Sequence, residues 1–413
     1  MTIVSNGKQF EIIVGPVGNY CIIVDDSEQH LVCIEGWPDG VIPVIRPLSL
    51  HIKPAIKAGE LSFTAPQNAR LSIEMDGDTK NPLLLFFCGT NGPSLKQATC
   101  VFERGVHEVD EIVLKSGDRL FLREGAVVRG TVRAANAENI SVAGPGVFDV
   151  TGLPLREKRR RVMMFQSCRG VTLEDFTVVG SETWNVVPAA CQNVKIKGVN
   201  VMSCIMSGDG IDLCGCEDVL VEGCFCRVAD DCIAIKATSN DFMDGCRDIK
   251  NIRVRRCVLW NDEPGNALEI GYETRADEIC DIEFSDCDVI HCMREGWQSG
   301  GVFTIHNGDR ANIHHVTYRD IRVEDAREKL IDLKILYAKY SKDGKRGQIR
   351  DIEFSDIDLV GSDFPPSIMR GWEDGEHIIG PVYIRNLTYK GERMAGLLKA
   401  RIVAEMCRDV IVV

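Results

Sequence analysis

An apolar pattern that recurs along residues 171–389 is the feature that most constrains the fold of this chain. Each copy carries apolar residues at relative positions i, i+2, i+5 and i+7, and successive leading residues lie 23 to 36 positions apart. The two-residue steps are the period of a β-strand, whereas the three-residue step between them requires a bend. The leading residues are Val171, Val194, Val219, Ile252, Ile282, Val316, Ile352 and Val382.

Each copy of the pattern therefore corresponds to one coil of short strands joined by turns. Coils stacked about 4.8 Å apart pair each strand with its equivalent in the next coil, and their inward side chains form continuous ladders. Cys224, Cys257 and Cys287 share the i+5 position and are predicted to form part of one ladder. The pattern predicts an all-β protein built as a parallel β-helix. A helical solenoid would need a 3.6-residue period, which these windows lack.

The first hundred residues do not show the repeat. They contain short strand signals separated by Gly, Pro and Asn/Asp turns, a pattern typical of a small β-sandwich. We therefore predict an N-terminal β-sandwich-like domain over 1–100 and a parallel β-helix catalytic domain over 101–413. The longer coils need protruding turns, and the walls of a binding cleft are predicted at 238–247, 262–265, 274–278 and 294–301.

Charge and cysteine content bear on location and partners. Many of the eighteen cysteines occupy inward positions, where reduced thiols act as small apolar groups, and the chain starts without a signal-peptide pattern. We therefore expect a cytoplasmic protein.

The formal net charge of -13 disfavours nucleic acid and anionic membranes as partners. No cysteine pairs have zinc-site spacing, and we expect neither a metal nor a cofactor. The sequence leaves the oligomeric state open, with a homo-oligomer as one outcome.

Three aspartates are the candidate catalytic residues. Asp209 precedes one short apolar strand, and Asp230 and Asp231 precede the next. Aligning the two strands places Asp209 one rung from Asp231. The same register places Trp184 one rung before Asp209 and Asn266 one rung after Asp231. An aromatic face, several acids and an amide together indicate a sugar-binding site.

Carboxylates held this close cannot all ionise independently, because each negative charge raises the proton affinity of its neighbours. The protonated member can act as a general acid while the others activate water. This division of roles is what hydrolysis of a glycosidic bond requires. The predicted partner is therefore an oligosaccharide substrate.

Two motifs carry a resemblance to known families. Ser207-Gly-Asp209-Gly-Ile-Asp212 and Ala229-Asp230-Asp231-Cys232-Ile-Ala234-Ile-Lys236 resemble Asn-Thr-Asp-Gly-x-Asp and Gly-Asp-Asp-Cys-x-Ala-x-Lys of the polygalacturonases, glycoside hydrolase family 28. The sandwich ahead of the helix is similar to the arrangement in the dextranases of family 49. The resemblance implies a right-handed parallel β-helix and an inverting mechanism. It also implies that Asp230 is the general acid and that Asp209 and Asp231 hold the nucleophilic water.

The chain departs from the polygalacturonase pattern at two further motifs. Asn266 stands in place of the histidine of Gly-His-Gly, and Glu269 is an additional acid. In the best match to Arg-x-Lys, Asp332 replaces the arginine and Lys334 is retained. Because the arginine would clamp a uronate carboxylate, its loss favours a neutral sugar over a galacturonide.

The remaining candidates are predicted to bind substrate, and four of them have a purely structural alternative. These candidates are Trp184, Asn185, Lys236, Asn266, Glu269, His306, Asp332 and Lys334. Lys236 could equally neutralise the acids, Trp184 could be a core aromatic, Glu269 could be a buried ion-pair partner and His306 could lie in a surface turn.

Two other functions remain compatible with the sequence. In a calcium-assisted polysaccharide lyase or epimerase, Asp209, Asp212, Asp230 and Asp231 would bind the cation, because calcium prefers carboxylate oxygens. In a non-catalytic carbohydrate-binding solenoid, the same residues would bind a sugar without turnover.

Overall fold

The fold is that of a parallel β-helix preceded by two smaller sheets, which confirms the predicted fold class. A computed structural model describes residues 1–90, 92–203, 205–237, 247–293, 300–361 and 363–413. Thirty strands form one continuous, almost entirely parallel sheet that winds through three stacks of strands. The described helices are a 3-10 turn at Leu48–Leu50 and a short α-helix at Gly92–Lys96. Neither is long or apolar enough to cross a membrane.

Two sheets before residue 90 enclose a separate apolar core that includes Ile34, Phe63, Leu71 and Phe87. The five-stranded sheet consists of Thr2–Ser5, Lys8–Phe10, Gln29–Glu35, Ala55–Lys57 and Glu60–Pro66. The four-stranded sheet consists of Asn19–Val24, Pro43–Arg46, Arg70–Met75 and Leu83–Cys88. The strands of the β-helix start at Cys100.

One stack of strands carries the candidate site, and we call it the site stack. It consists of Met163–Gln166, Val186–Ala189, Ile211–Cys214, Ile233–Lys236, Leu268–Tyr272, Gly301–Asn307, Lys329–Ile335, Ser367–Arg370 and Ile402–Glu405. Its first strand pairs with Ala126–Ala135 of the preceding coil.

The second stack contains the first apolar pair, i and i+2, of each of the eight repeats. It consists of Cys100–Phe102, Arg119–Leu122, Glu138–Ala143, Arg169–Glu174, Gln192–Lys197, Glu217–Glu222, Ile249–Arg255, Glu278–Ser285, Asn312–Val323, Gln348–Leu359, Val382–Tyr389 and Val410–Val412. The leading residues from Val171 to Val382 pair one with the next in the register that the repeat predicts.

The third stack faces the N-terminal sheets. It consists of Gly105–Leu114, Ala126–Ala135, Val147–Asp149, Thr177–Val179, Asn200–Ser203, Phe225–Val228, Val258–Asn261 and Asp288–Cys292. A two-residue strand, Glu392–Arg393, folds back on the second stack. Tyr20, Leu84 and Phe86 of the N-terminal sheets pack against Phe225 and Trp260 of this stack, so that apolar contact joins the two parts.

Positive φ angles explain the three-residue step within each repeat. The residue at i+4 has a φ between 49° and 62° in all eight copies, which turns the chain between the apolar pairs at i, i+2 and i+5, i+7. Gly, Asp and Asn tolerate this left-handed conformation best, and seven of the eight residues are of these types. The residues are Asp175, Gly198, Gly223, Arg256, Asp286, Asp320, Asp356 and Asn386.

The side chains of the inward ladders are buried from solvent, as the repeat predicts. Cys224, Cys257 and Cys287 are fully buried in the core of the solenoid. All sixteen cysteines within the described ranges are free thiols. The thiols of the core, such as Cys224, Cys257 and Cys287, fill inward positions as small apolar side chains.

The left-handed turn at Asp320 provides a test of the coil geometry. Asp320 is exposed and has a φ of 53°, so substitution there changes backbone strain with little change in packing. We expect Asp320→Val to lower the free energy of unfolding by about 1–2 kcal/mol, because a β-branched residue is strained in this conformation. Asp320→Gly should stay within about 0.5 kcal/mol of wild type. Urea titration followed by circular dichroism measures both, and equal effects of Val and Gly would contradict the assignment.

Candidate active site

The structure brings the three predicted catalytic aspartates together. One carboxylate oxygen from each of Asp209, Asp230 and Asp231 lies within 4.8 Å of the others. Parallel pairing of Ile211 with Ile233 fixes this arrangement, because Asp209 and Asp231 each lie two residues before those partners. The predicted one-rung relationship is therefore present, and the acids stand where two adjacent strands of the site stack begin.

Asp230 is held by the backbone around it. The Ser207 N–H donates a 2.7 Å hydrogen bond to its Oδ2, and Asn261 Nδ2 donates one of 2.7 Å to its carbonyl oxygen. Gly265 lies so close that a Cβ there would be 2.0 Å from the carbonyl carbon of Asp230. Burial and then the charge of Asp209 raise the pKa of Asp230 to about 6, against the opposing charge of Lys236. Asp230 can therefore hold a proton in mildly acidic solution.

Asp231 is more deeply buried and is oriented by Asn266. The backbone N–H and the side-chain amide of Asn266 donate hydrogen bonds of 3.0 and 2.7 Å to Oδ1 of Asp231. The Asn266 oxygen accepts a 3.0 Å bond from the Gly301 N–H, which fixes which end of the amide faces the acid. Burial and the charges of Asp230 and Asp209 raise the pKa of Asp231. Asn266 thus fixes the orientation of the Asp231 carboxylate.

Lys236 is a buried cation within the acid cluster. Its Nζ lies 2.7 Å from Asp209 and 2.6 Å from Asp212, and 3.9 Å from Asp231. Burial opposes the charge, but Asp209 and Asp212 raise the pKa of Lys236, so the ammonium form is retained. Lys236 compensates the charge of the cluster, which is the structural role considered for it.

The predicted catalytic and substrate-binding residues do not include Asp212, which was named only as a calcium ligand in the alternative function. It is fully buried, and burial and the charge of Asp209 raise its pKa. A signal for it was present in the sequence: Asp212 pairs with Ala234, and Lys236 follows two positions later on the same face of the strand. The small Ala234 side chain leaves room for the ammonium group of Lys236 to reach the carboxylate.

Trp184 and Asn185 border the same cluster. The Trp184 ring is half-buried, with Lys236 Nζ 3.9 Å and the Arg161 guanidinium carbon 5.0 Å from its centroid. Asn185 Nδ2 donates a 2.8 Å hydrogen bond to the carbonyl oxygen of Asp209. Asn185 is fully buried and supports the Asp209 backbone, whereas part of the Trp184 ring is accessible. Contact of either residue with substrate stays a prediction.

Four other predicted residues form a second group, which we call the histidine cluster: Glu269, His306, Asp332 and Lys334. His306 Nδ1 lies 2.9 Å from Glu269, His306 Nε2 lies 3.2 Å from Asp332, and Lys334 Nζ lies 2.9 Å from Asp332. Glu269, His306 and Asp332 are fully buried, and 14% of the Lys334 side chain is exposed. They bond to one another beneath the surface, and their contact with substrate stays a prediction.

Charge is balanced within the histidine cluster. Burial disfavours protonation of His306, but Glu269 and Asp332 raise its pKa to about 9. Burial also disfavours ionisation of Asp332, but the hydrogen bond and charge of His306 and the charge of Lys334 lower its pKa. The cluster therefore holds two cations between two carboxylates, and none of this charge is left uncompensated.

Two carboxylate oxygens of the catalytic cluster retain acceptor capacity. Asp209 Oδ1 and Asp212 Oδ2 are buried and have no hydrogen-bond donor within the described part of the chain. Buried acceptors of this kind are normally satisfied by water or by a ligand. A proton on Asp212, whose pKa is raised by burial and by Asp209, would supply a donor between these two carboxyl groups.

Of the predicted cleft walls, 262–265 and 274–278 are described. The first packs against Asp230 through Gly265. In the second, the Thr274 N–H donates a 3.1 Å bond to Asp309. The walls predicted at 238–247 and 294–301 fall mainly outside the described residues.

Comparison with known proteins places this geometry in a family. The sequence model of "Glycosyl hydrolases family 28" matches residues 131–362. A probable polygalacturonase of Arabidopsis thaliana is 23% identical over 200 residues, which are 47% of this chain and 40% of that protein. A probable polygalacturonase of Vitis vinifera is 28% identical over 74 residues, 17% of this chain and 15% of that protein. The chain thus spans less than half the length of these curated relatives.

Solved structures share the fold over most of the chain. The family 28 exopolygalacturonase of Yersinia enterocolitica aligns with a TM-score of 0.57 and 13% identity, covering 97% of this chain and 96% of that one. Dex49A from Penicillium minioluteum aligns with a TM-score of 0.59 and 12% identity, covering 92% of this chain and 79% of that one. At these identities the likeness concerns the fold alone.

Lys236 provides a test of the charge balance. We expect Lys236→Met to lower the free energy of unfolding by about 3–5 kcal/mol at pH 7, because Asp209 and Asp212 lose their cation. The loss should shrink as the pH falls towards 4, since protonation of the carboxyls removes the uncompensated charge. Urea titrations at several pH values measure this. Lys195→Met, at an exposed position of the neighbouring stack, is the matched control. A loss independent of pH would contradict the charge role.

Proposed function

This chain belongs to glycosyl hydrolase family 28, and from that premise we propose that it hydrolyses an O-glycosidic bond of an oligosaccharide with inversion at the anomeric carbon. We propose further that the sugar is neutral rather than a galacturonide. The observation that carries the proposal is the convergence of Asp209, Asp230 and Asp231 within 4.8 Å around a single buried ammonium group.

Asp230 is the proposed general acid. Burial and the charge of Asp209 raise its pKa to about 6, so it can carry the proton that the glycosidic oxygen takes up as the bond to the anomeric carbon breaks. Water adds to the anomeric carbon from the opposite side and loses a proton to the carboxylate pair of Asp209 and Asp231. The three carboxylates regain their starting protonation state when solvent exchanges that proton back to Asp230.

The proposed inversion is supported by the way in which the two other acids are held. Asp209 is tied to Lys236, and Asp231 accepts two N–H groups from Asn266, so neither carboxylate is a free nucleophile. Carboxyl separation does not select the outcome, because the usual ranges of about 6.5–9.5 Å for inversion and about 5–5.5 Å for retention both exceed the oxygen separations here.

The proposed preference for a neutral sugar follows from charge compensation. Lys334 is the cation retained from the Arg-x-Lys pattern, and its Nζ lies 2.9 Å from Asp332, the residue that replaces the arginine. Lys236 is likewise engaged by Asp209 and Asp212. A uronate carboxylate binds best to an uncompensated cation, above all a bidentate guanidinium. The curated relatives are named polygalacturonases, so a galacturonide is the alternative substrate.

A calcium-assisted lyase or epimerase is the competing function, because the three carboxylates lie close enough together to hold a cation. The Lys236 ammonium group already supplies positive charge to Asp209 and Asp212, which lowers the gain from binding calcium there. A lyase would lose activity with a chelator and would release an unsaturated product that absorbs ultraviolet light. Hydrolysis predicts neither result.

Replacing Asp230 tests the assignment of the acid. We expect Asp230→Asn to lower kcat by about 10²–10⁴-fold on oligosaccharides, and by less on aryl glycosides whose leaving group needs no proton. In the wild type, kcat/KM should fall as the pH rises above about 6, because Asp230 loses its proton there, and the variant should lack this decline. Steady-state kinetics from pH 4 to 9 measure both. Asp356→Asn, at an exposed turn of the second stack, should behave as wild type. Wild-type kcat in Asp230→Asn would disprove the role.

A substrate panel tests the sugar and the stereochemistry together. Maltotriose, isomaltotriose, nigerotriose, β-1,4-galactotriose and tri-galacturonate are compared by reducing-end release. We expect higher kcat/KM on a neutral trisaccharide than on tri-galacturonate, because Lys236 and Lys334 are already paired with carboxylates. Proton NMR of the first product formed should show the anomer opposite to that of the substrate. A preference for tri-galacturonate would refute the neutral sugar, and a retained anomer would refute inversion.

A further inference from the structure

We propose that Tyr272 and Tyr340 form a sugar-binding subsite beside the catalytic carboxylates, on the side towards the C-terminal coils. This subsite, which we call the tyrosine subsite, rests on the proposed function, because it would hold the sugar ring on one side of the bond that is cleaved. Its ligand is a pyranose ring of a neutral oligosaccharide.

The Tyr272 and Tyr340 rings lie against each other on the outside of the site stack, and we call this pair of rings the wall. Tyr272 is the last residue of the strand Leu268–Tyr272, which lies on the coil that follows Asp231. The Tyr272 ring stacks on the His306 ring with centroids 4.5 Å apart and planes 13° apart. The Tyr340 ring lies 5.6 Å from the Tyr272 ring at 49°. Tyr272 is half-buried and Tyr340 is 41% exposed, so part of the wall faces solvent.

The histidine cluster gives this wall a rigid base. His306 is fully buried and is held at both ring nitrogens, by Glu269 at 2.9 Å and by Asp332 at 3.2 Å. Its orientation is therefore fixed, and its charge attracts the face of the Tyr272 ring. The buried charges of the histidine cluster thus have a role in this proposal: they fix the His306 ring and, through it, the plane of the Tyr272 ring.

The loop that carries Tyr340 is held in place before any ligand arrives. The Asp309 carboxylate accepts hydrogen bonds of 2.6 Å from the Lys342 N–H and 2.7 Å from the Asp343 N–H. Arg346 donates a 2.6 Å bond to the Leu336 carbonyl oxygen. Because both ends of the loop are fixed, binding a sugar against Tyr340 would cost little ordering of the chain.

The loop also carries a cation beside Tyr340. Lys339 Nζ is 4.7 Å from the centroid of the Tyr340 ring. The hydrogen bond and charge of Tyr340 raise the pKa of Lys339, so its ammonium form is retained. The Lys339 ammonium group and the Tyr340 hydroxyl are suited to donate hydrogen bonds to sugar hydroxyls.

Trp184 lies on the other side of the acids. Pairing of Val186 with Ile211 places Trp184 one rung before Asp209, whereas Tyr272 follows Asp231 on the next rung. Aromatic surfaces therefore flank the carboxylates on both sides along the solenoid. Aromatic rings bind the C–H face of a pyranose by burying apolar area, and two such surfaces match one sugar ring on each side of the scissile bond.

Binding to an inactive variant tests the tyrosine subsite. Asp230→Asn, with and without Tyr340→Ala, is titrated calorimetrically with maltotriose, isomaltotriose, nigerotriose and β-1,4-galactotriose. We expect Tyr340→Ala to weaken binding of the preferred trisaccharide about tenfold, the scale of a lost aromatic contact. Tyr340→Phe should stay within about twofold, because the ring is retained. With Asp230 intact, Tyr340→Ala should lower kcat/KM on the same trisaccharide by the same factor.

The matched control is Tyr383→Ala, on the strand Val382–Tyr389 of the second stack. This variant should change neither the affinity for the trisaccharide nor kcat/KM. Tyr272→Leu, which removes the other ring of the wall, should weaken binding in the same direction, so that the test does not depend on one variant folding. Unchanged binding in both Tyr340→Ala and Tyr272→Leu overturns the subsite, as does failure of every trisaccharide to bind Asp230→Asn. Turnover by Asp230→Asn at the wild-type rate instead overturns the acid assigned in the proposed function, and the effect of Tyr340→Ala on kcat/KM then decides the subsite.

Discussion

In-register pairing between successive coils is the interaction on which the rest of this structure depends. Each strand of the site stack pairs in register with the strand before it. Two residues that lie the same number of positions from a pair of hydrogen-bonded partners therefore stand side by side on adjacent rungs. Pairing of Ile211 with Ile233 brings Asp209 and Asp231 together, and pairing of Ile233 with Leu268 adds Asn266. The catalytic cluster therefore follows from backbone hydrogen bonds and an apolar core that lie outside it.

Holding four acids in so small a volume requires charge compensation, and one lysine supplies most of it. Lys236 is bonded to Asp209 and Asp212, which leaves Asp230 and Asp231 with less of its charge. Burial then raises the pKa of both, to about 6 for Asp230. The same features that cost stability, burial and like charge, are the ones that provide an acid able to hold a proton.

The departures from the polygalacturonase pattern form a connected group rather than scattered changes. Asn266, in place of a histidine, orients Asp231 without titrating. Asp332, in place of an arginine, pairs with Lys334 and with His306, and His306 in turn pairs with Glu269 and supports the Tyr272 ring. The departures thus place paired charges and an aromatic ring where the polygalacturonase pattern has cationic residues. The proposal of a neutral sugar is based on this pairing.

The sequence by itself determined the parallel β-helix, the register of its second stack and the meeting of Asp209 with Asp231. Strand periodicity and the spacing of the repeats are local properties that translate directly into rung positions. The left-handed residue between the apolar pairs, such as Asp320, was not predicted, although it is Asp, Asn or Gly in seven of the eight copies. Only the tertiary structure decided which polar side chains bond to each other, because a rung position does not specify burial, rotamer or the partner from a distant loop. For that reason Asp212 emerged as a partner of Lys236, His306 proved to be buried rather than at a surface turn, and Tyr340 came to lie against Tyr272.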